Sequence, residues 1–242
     1  MTLDFWKILL SKQFSNNVPS FYFKNIHTNS SFTPYQNNGG TIISINTGNF
    51  SILASDTRIT SGFSIPSRDT IRILKISENI LLSTSGMRAD MLILQENYKK
   101  AIKLWETENK KYIPISNGAY FLSSILYSRR FFPYYTFNII TGKNFNGTTK
   151  SFSFDAIGSF ESCSATSSGT GQHFVQPILD GQLYSFDQEG GSIENKVLTK
   201  LVLINFLFLK ASRRNIEIGD GIQIFVFTKK GVLVENSILR CD

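Results

Sequence analysis

The sequence predicts a layered α+β sandwich, and three observations carry that expectation. Short apolar segments of strand length come in pairs separated by tight-turn residues. Longer segments repeat their apolar residues every three or four positions, the period of a helix. The order along the chain is strands, two helices, strands, two helices, strands, which segregates helices from mostly antiparallel strands.

Each element follows from local chemistry. Residues 1–38 are read as an N-terminal extension with little structure of its own, because Ser, Asn, Thr and Pro dominate from Ser15 to Asn38. Residues 39–242 are read as one domain. Thr41 to Asn46 and Phe50 to Asp56 form a strand pair turning at Thr47-Gly48-Asn49. Ile71 to Ile76 and Ile80 to Ser85 form a second pair around Glu78-Asn79, and Gly86 ends it. A helix from Met87 to Glu108 aligns Met91, Leu94, Tyr98, Ile102 and Trp105 on one stripe. A second helix runs from Asn117, its expected N-cap, to Arg130, with Pro133 as the stop. Tyr135 to Thr141 and Thr148 to Asp155 alternate as strands around Asn146-Gly147. A Gly/Ser-rich stretch, Gly158 to Gly171, leads to a short helix from Gln172 to Leu179, and a polar loop with Gly190-Gly191 follows. The helix from Ser192 to Ser212 puts Leu198, Leu201, Val202, Asn205 and Leu209 on one face. A last hairpin joins Ile222–Phe227 to Val232–Asn236 at Lys229-Lys230-Gly231.

Composition excludes several classes. The chain has 242 residues, 41% hydrophobic and 18% charged, so it is expected to bury a core. Its longest apolar run, Val197 to Leu209, is broken by Thr199, Lys200 and Asn205 and is too short for a membrane span. Two cysteines, Cys163 and Cys241, and two histidines, His27 and His173, supply neither a disulfide framework nor a structural zinc site. No metal and no cofactor is expected. MTLDFWKILL, interrupted by Asp4 and Lys7, is not a convincing signal peptide. The glycosylation patterns at Asn29, Asn49 and Asn146 therefore carry little weight. Net charge is +7, but the basic residues come as scattered pairs such as Lys99-Lys100 and Arg129-Arg130, so no nucleic-acid partner is expected.

The chemical motifs are few. There is no G-x-S-x-G elbow, P-loop, G-x-G-x-x-G or H-E-x-x-H pattern. Gly169-Thr170-Gly171 and Gly219-Asp220-Gly221 read as turns. The informative stretch is Gly39-Gly40-Thr41-Ile42-Ile43-Ser44-Ile45, followed by Ile52-Leu53-Ala54-Ser55-Asp56-Thr57-Arg58. With Ser85-Gly86 and the long helix behind it, this resembles proteasome β subunits of the N-terminal nucleophile hydrolase family. Asn38-Gly39-Gly40-Thr41, Arg130 to Tyr135, Ser153 to Phe160 and Ile218 to Gly221 resemble one non-catalytic member type. The resemblance covers about residues 35–240.

That resemblance implies a four-layer αββα sandwich and a place in the β ring of the 20S core, in the cytoplasm and nucleus. The implied partners are other β subunits, the α subunits of the adjacent ring, the β subunits of the opposing ring, and protein substrates in the chamber. Family chemistry needs a threonine exposed at a new N-terminus, whose α-amine, with a pKa of roughly 7.7–8.0, can act as base. Carried over by position, the supporting Asp is Asp56, the Lys position holds Arg72, the backbone donor is Gly86, and the later Asp and Ser fall on Asn215 and Ile218. The nucleophile position falls on Gly40. Cleavage before Thr41 would expose a threonine, but one residue late in a strand, where the side chain faces the opposite way. Arginine offers only donors and stays protonated. No catalytic residue is therefore expected in this chain; the competing expectation is an active threonine protease using Thr41.

Overall fold

A computed structural model describes residues 33–186, 193–228 and 231–239. Residues 1–32, the Gly190-Gly191 loop, Lys229-Lys230 and Cys241 lie outside the described residues. The chain divides into Met1–Pro34 and a body, Tyr35–Asp242.

The body contains twelve described strands and four described helices. The strands are β1 (Thr41–Asn46), β2 (Ser51–Asp56), β3 (Ile59–Ser61), β4 (Ser64–Ser67), β5 (Ile73–Ser77), β6 (Ile80–Gly86), β7 (Thr136–Lys143), β8 (Thr149–Phe154), β9 (Phe160–Ser162), β10 (Ala165–Gly169), β11 (Gly221–Thr228) and β12 (Gly231–Ile238). The helices are α1 (Arg88–Asn109), α2 (Ile115–Tyr127), α3 (Gln172–Phe186) and α4 (Ile193–Ser212). One five-stranded sheet has the order β10-β1-β2-β11-β12 and the other β5-β6-β7-β8-β9. Every recorded pairing is antiparallel.

Three apolar clusters define the layers. Ile43, Ile45, Ile52, Ala54 and Ile224 pack against Val175, Leu179, Leu203, Ile204, Leu207 and Phe208 of α3 and α4. Ile80, Leu82 and Ile140 pack against Leu94, Tyr98, Ile102, Leu122 and Leu126 of α1 and α2. Ile42, Leu53, Ile73, Leu81, Ile139 and Phe227 fill the space between the sheets. The period of two in β1 decides which face each side chain joins: Ile43 and Ile45 go to the helices, Ile42 to the opposing sheet. The result is the expected αββα order. Ser44 hydrogen-bonds across the sheets to Thr141 (3.2 Å) and Ser151 (2.9 Å), which satisfies three buried hydroxyls in this layer.

Local chemistry explains where the sequence reading and the structure differ. Asn117 does not cap α2: Pro114, extended at φ −71° and ψ 150°, holds that position, and its ring presets the entry. The helix ends at Tyr127, because the Arg129 and Arg130 amides tighten onto Leu126 and Tyr127 carbonyls three residues back. The β3–β4 ribbon was not expected, since both strands are short and mostly polar. Within the Gly/Ser-rich stretch lie β9 and β10, and β10 pairs with β1 from Thr41–Gly169 to Ile45–Ala165. Helix α3 passes Pro177 and Leu179 and reaches Phe186.

Helix α4 buries other residues than those aligned in the sequence. Its buried face is Lys200, Leu203, Ile204, Leu207, Phe208 and Ala211. Of the residues aligned in the sequence, Leu198 and Val202 are both 62% exposed, while Leu201 is partly buried against the core. The helix is apolar on two sides, and the three- to four-residue period fits either.

Candidate functional site

Four chain segments converge where β1 begins. Gly39 (φ +69°) and Gly40 (φ +98°) lead into β1 through backbone conformations that side chains disfavour. Asp56 closes β2, Arg72 precedes β5, and Gly86 ends β6. The sheet registers bring them together: β1 pairs with β2, and β5 with β6. All four elements are almost wholly buried at this end.

The geometry at Gly40 is tight. A Cβ built there would overlap the Arg72 guanidinium. Arg72 is fully buried and donates through Nη2 to the Arg58 carbonyl. Its Nε stands 3.4 Å from Asp56 Oδ1, an ion pair too loose to be a hydrogen bond. Asp56 Oδ1 accepts instead from the Thr41 amide at 2.8 Å. Burial pushes the Asp56 carboxyl up to about 6, against the pull of Arg72 and the Thr41 amide. Burial also lowers Arg72, while Asp56 opposes the shift.

Thr41 belongs to the other face of the strand. Its hydroxyl accepts the Gly171 amide at 2.9 Å. A Cβ on Gly171 would meet both Thr41 Oγ1 and Ile218 Cδ1, so the Thr41 side chain packs on the α3/α4 side, across the strand from Arg72. Ile218 is buried in that helical core. The Asn215 amide reaches the Thr170 carbonyl at 3.4 Å, and Thr170 N–H donates to the Gly40 carbonyl at 3.0 Å. Thus Gly40, Asp56, Arg72 and Gly86 share one neighbourhood, while Thr41, Asn215 and Ile218 gather behind it around Thr170 and Gly171.

Gly86 donates its amide to the Gly39 carbonyl at 3.3 Å. The chain preceding Gly40 therefore occupies the backbone donor. A Cβ on Gly86 would collide with the Tyr135 carbonyl, which explains the glycine. An adjoining cavity of about 230 Å³ is lined by Asn37, Gly39, Gly86, Tyr135, Phe137, Gly169, Thr170, Gln172 and His173.

Two structural devices were not legible in the sequence. Asn38, expected in the extension, is buried and works across the fold. Its Oδ1 accepts the Arg88 amide at 2.9 Å, and its Nδ2 donates to the Thr60 carbonyl at 3.0 Å. Met87 supplies no side-chain cap to α1, so Asn38 caps that helix from a distant segment. The second device centres on Asp220 (φ +65°). Arg58 donates to it through Nε (2.7 Å) and Nη2 (3.1 Å), and Arg68 through Nη1 (2.5 Å). Against its partial burial, the two arginines hold the Asp220 carboxyl below its ordinary value. Arg72 is thus the arginine in ion-pair contact with Asp56, whereas Arg58 binds Asp220.

Among the described residues, no group of three or more His, Cys, Asp or Glu is placed to hold a metal ion. No described helix is long and apolar enough to cross a membrane.

The profile of the proteasome subunit family matches residues 36–203. This chain belongs to the proteasome subunit family. It is similar to the zebrafish (Danio rerio) protein named proteasome subunit beta type-1, at 35% identity over 214 residues, covering 87% of this chain and 90% of that protein. It is equally similar to the Dictyostelium discoideum protein of that name, at 35% over 216 residues, covering 87% and 91%. The Saccharomyces cerevisiae protein named proteasome subunit beta type-6 is 34% identical over 221 residues, covering 87% and 92%. The αββα layers described above are the frame on which this proteasome-family chain carries its Gly40–Arg72 neighbourhood.

Proposed function

We propose that this chain is a non-catalytic β subunit of the 20S proteasome core, of the type that its relatives' names call beta type-1 or beta type-6. The assembled complex is a threonine-type endopeptidase acting in ubiquitin-dependent and other intracellular protein degradation. This chain supplies ring contacts and part of the chamber wall. Its partners are neighbouring β subunits, the α subunits of the adjacent ring, the β subunits of the opposing ring and the protein substrates held inside, in the cytoplasm and nucleus.

The observation that carries the non-catalytic reading is the Gly40–Arg72 contact. Gly40 brings no hydroxyl to the nucleophile position, and the Arg72 guanidinium fills the space a side chain would need. Arg72 cannot act as the neutral or proton-sharing amine that a lysine provides. Asn215 has no carboxylate and Ile218 no hydroxyl. Thr41 is buried, with its hydroxyl engaged by Gly171 behind the strand, which speaks against its use as an alternative nucleophile. The Gly39 carbonyl held by Gly86 favours a chain that stays continuous through Gly40. We further propose residues 1–38 as an extension and 39–242 as the β-type domain, with Asn37 and Asn38 anchoring their junction.

The test uses the assembled particle. An inhibitor directed at N-terminal threonines is added, and each subunit is analysed by intact mass and N-terminal sequencing. The expected result is label on other subunits, none on this chain, and a start upstream of Thr41. Covalent label on Thr41 would establish the protease reading instead.

A further inference from the structure

Helix α2 ends in an aromatic knuckle that the described residues leave largely uncovered. Phe131 is 97% exposed, and Phe132 and Tyr127 are each 56% exposed. Their geometry is fixed in advance. The Arg130 guanidinium lies over the Tyr127 ring (5.7 Å) and the Phe131 ring (5.8 Å), and donates to the Tyr127 hydroxyl at 3.2 Å. Arg129 lies over Tyr134 at 5.4 Å. Phe132 stacks on Tyr35 at 5.3 Å, and Tyr35 donates to the Pro133 carbonyl at 2.7 Å. Rings and guanidinium groups held in this way lose little freedom when they are covered.

Among the described residues, neither Arg129 nor Arg130 pairs with a carboxylate. Asp90, from the neighbouring α1, instead accepts the Tyr135 amide at 2.9 Å. The knuckle therefore offers two cations with outward-facing donors, set among exposed rings. Aromatic and arginine side chains in this combination dominate the energetics of protein interfaces.

We propose that the Tyr127–Phe132 knuckle docks a carboxylate-bearing apolar segment of a neighbouring polypeptide in the assembled particle. The proposal rests on the subunit reading above. The complementary segment carries an Asp or Glu that engages the arginine donors, flanked by apolar side chains that cover Phe131 and Phe132. A charged fork pairs best with a carboxylate once water is excluded. A nucleic-acid strand fits less well: two cations give few phosphate contacts, and the α2 carbonyl ends beside them reduce the positive potential.

The experiment places a photo-crosslinking amino acid at Phe131 in the full-length tagged chain, expressed in cells and purified with the intact particle. The linked peptide is read by mass spectrometry. The expected product is one cross-link to another subunit, with an Asp or Glu within a few residues of the linked site. The double variant Arg129→Glu/Arg130→Glu should enter particles about tenfold less than the unchanged chain, while Arg129→Lys/Arg130→Lys keeps most incorporation. A cross-link to a second copy of this chain, to nucleic acid or to a segment without acidic residues overturns the proposal. So does the absence of any cross-link, or full incorporation of the charge-reversed chain. If the unchanged tagged chain does not purify with a proteasome particle, the subunit reading fails as well. If it does and the variants behave like it, only the docking surface fails.

Discussion

At Gly40, a hydrogen in place of a side chain leaves room for the Arg72 guanidinium, and the two residues are matched. The variant Gly40→Thr forces a branched side chain into φ +98° and into Arg72. It should destabilise the full-length chain by about 3 kcal/mol or more, read by denaturant unfolding. Gly40→Thr/Arg72→Lys should recover part of that loss, because a lysine stem is slimmer than the planar fork. Asp56 supplies a second test. Its carboxyl stands at about 6 in the fold and at an ordinary 3.8 when exposed. The fold thus holds the proton more tightly than the unfolded chain does. The contribution of Asp56 is full below pH 3.8 and is lost as pH rises through about 6. Between those values it falls by at most about 1.4 kcal/mol per pH unit. Unfolding of the Asp56→Asn variant, measured at several pH values from 4 to 6.5, should lack this slope, because the amide does not titrate. Asp220 acts in the opposite sense, its contribution being lost only as pH falls below 3.8, so the two windows separate. The neighbourhood of Asp56, Arg72 and Gly86 followed from the resemblance to the proteasome β family, residue by residue. The overlap at Gly40 did not, because it depends on backbone torsions and on the path of one long side chain.

At the scale of elements, the capping of α1 was invisible in the sequence. Asn38 lies in a polar stretch, fifty residues before the Arg88 amide it accepts. Asn38→Ala should cost about 1 kcal/mol in thermal unfolding through the lost cap, and the Thr60 carbonyl loses its donor too. Asn38→Asp keeps the acceptor for Arg88 and should lie between the two. Helix α4 gives the opposite lesson. Its periodicity was plain, but apolar residues occupy both faces, so the pattern alone could not say which one meets the sheet. The structure fixes the answer in a form that unfolding measurements can check. Ile204→Ala should cost about 2–5 kcal/mol, and Leu198→Ser should stay within about 0.5 kcal/mol. Strand β10 escaped notice for a different reason: Ala165-Thr166-Ser167-Ser168-Gly169 has no apolar alternation. It is buried because β1 supplies its hydrogen bonds and α3 covers it.

For the whole molecule, the layered class was readable because each hairpin announces itself locally: Thr47-Gly48-Asn49 with Gly48 at φ +81°, and Asn146-Gly147 with Gly147 at φ +74°. The pairing of distant strands was not readable, since no local signal says that β2 meets β11. The apolar residues left outside, among them Leu198, Val202 and Phe131, give an expected behaviour of the isolated chain. Sedimentation velocity should show association that rises with concentration, and a hydrophobic dye should bind the free chain and be displaced once particles form.

The order in which strands close has a consequence for synthesis on the ribosome. The sheet β5-β6-β7-β8-β9 is complete once residue 162 has emerged, and its neighbours in space are neighbours in sequence. The other sheet begins with β1 and β2, yet their outer partners are β10 and β11, the latter starting at Gly221. From Asp56 until Ala165 emerges the first hairpin therefore has two open edges, and β2 keeps one until Gly221, a state that invites wrong pairing and calls for a holding factor or a fast final step.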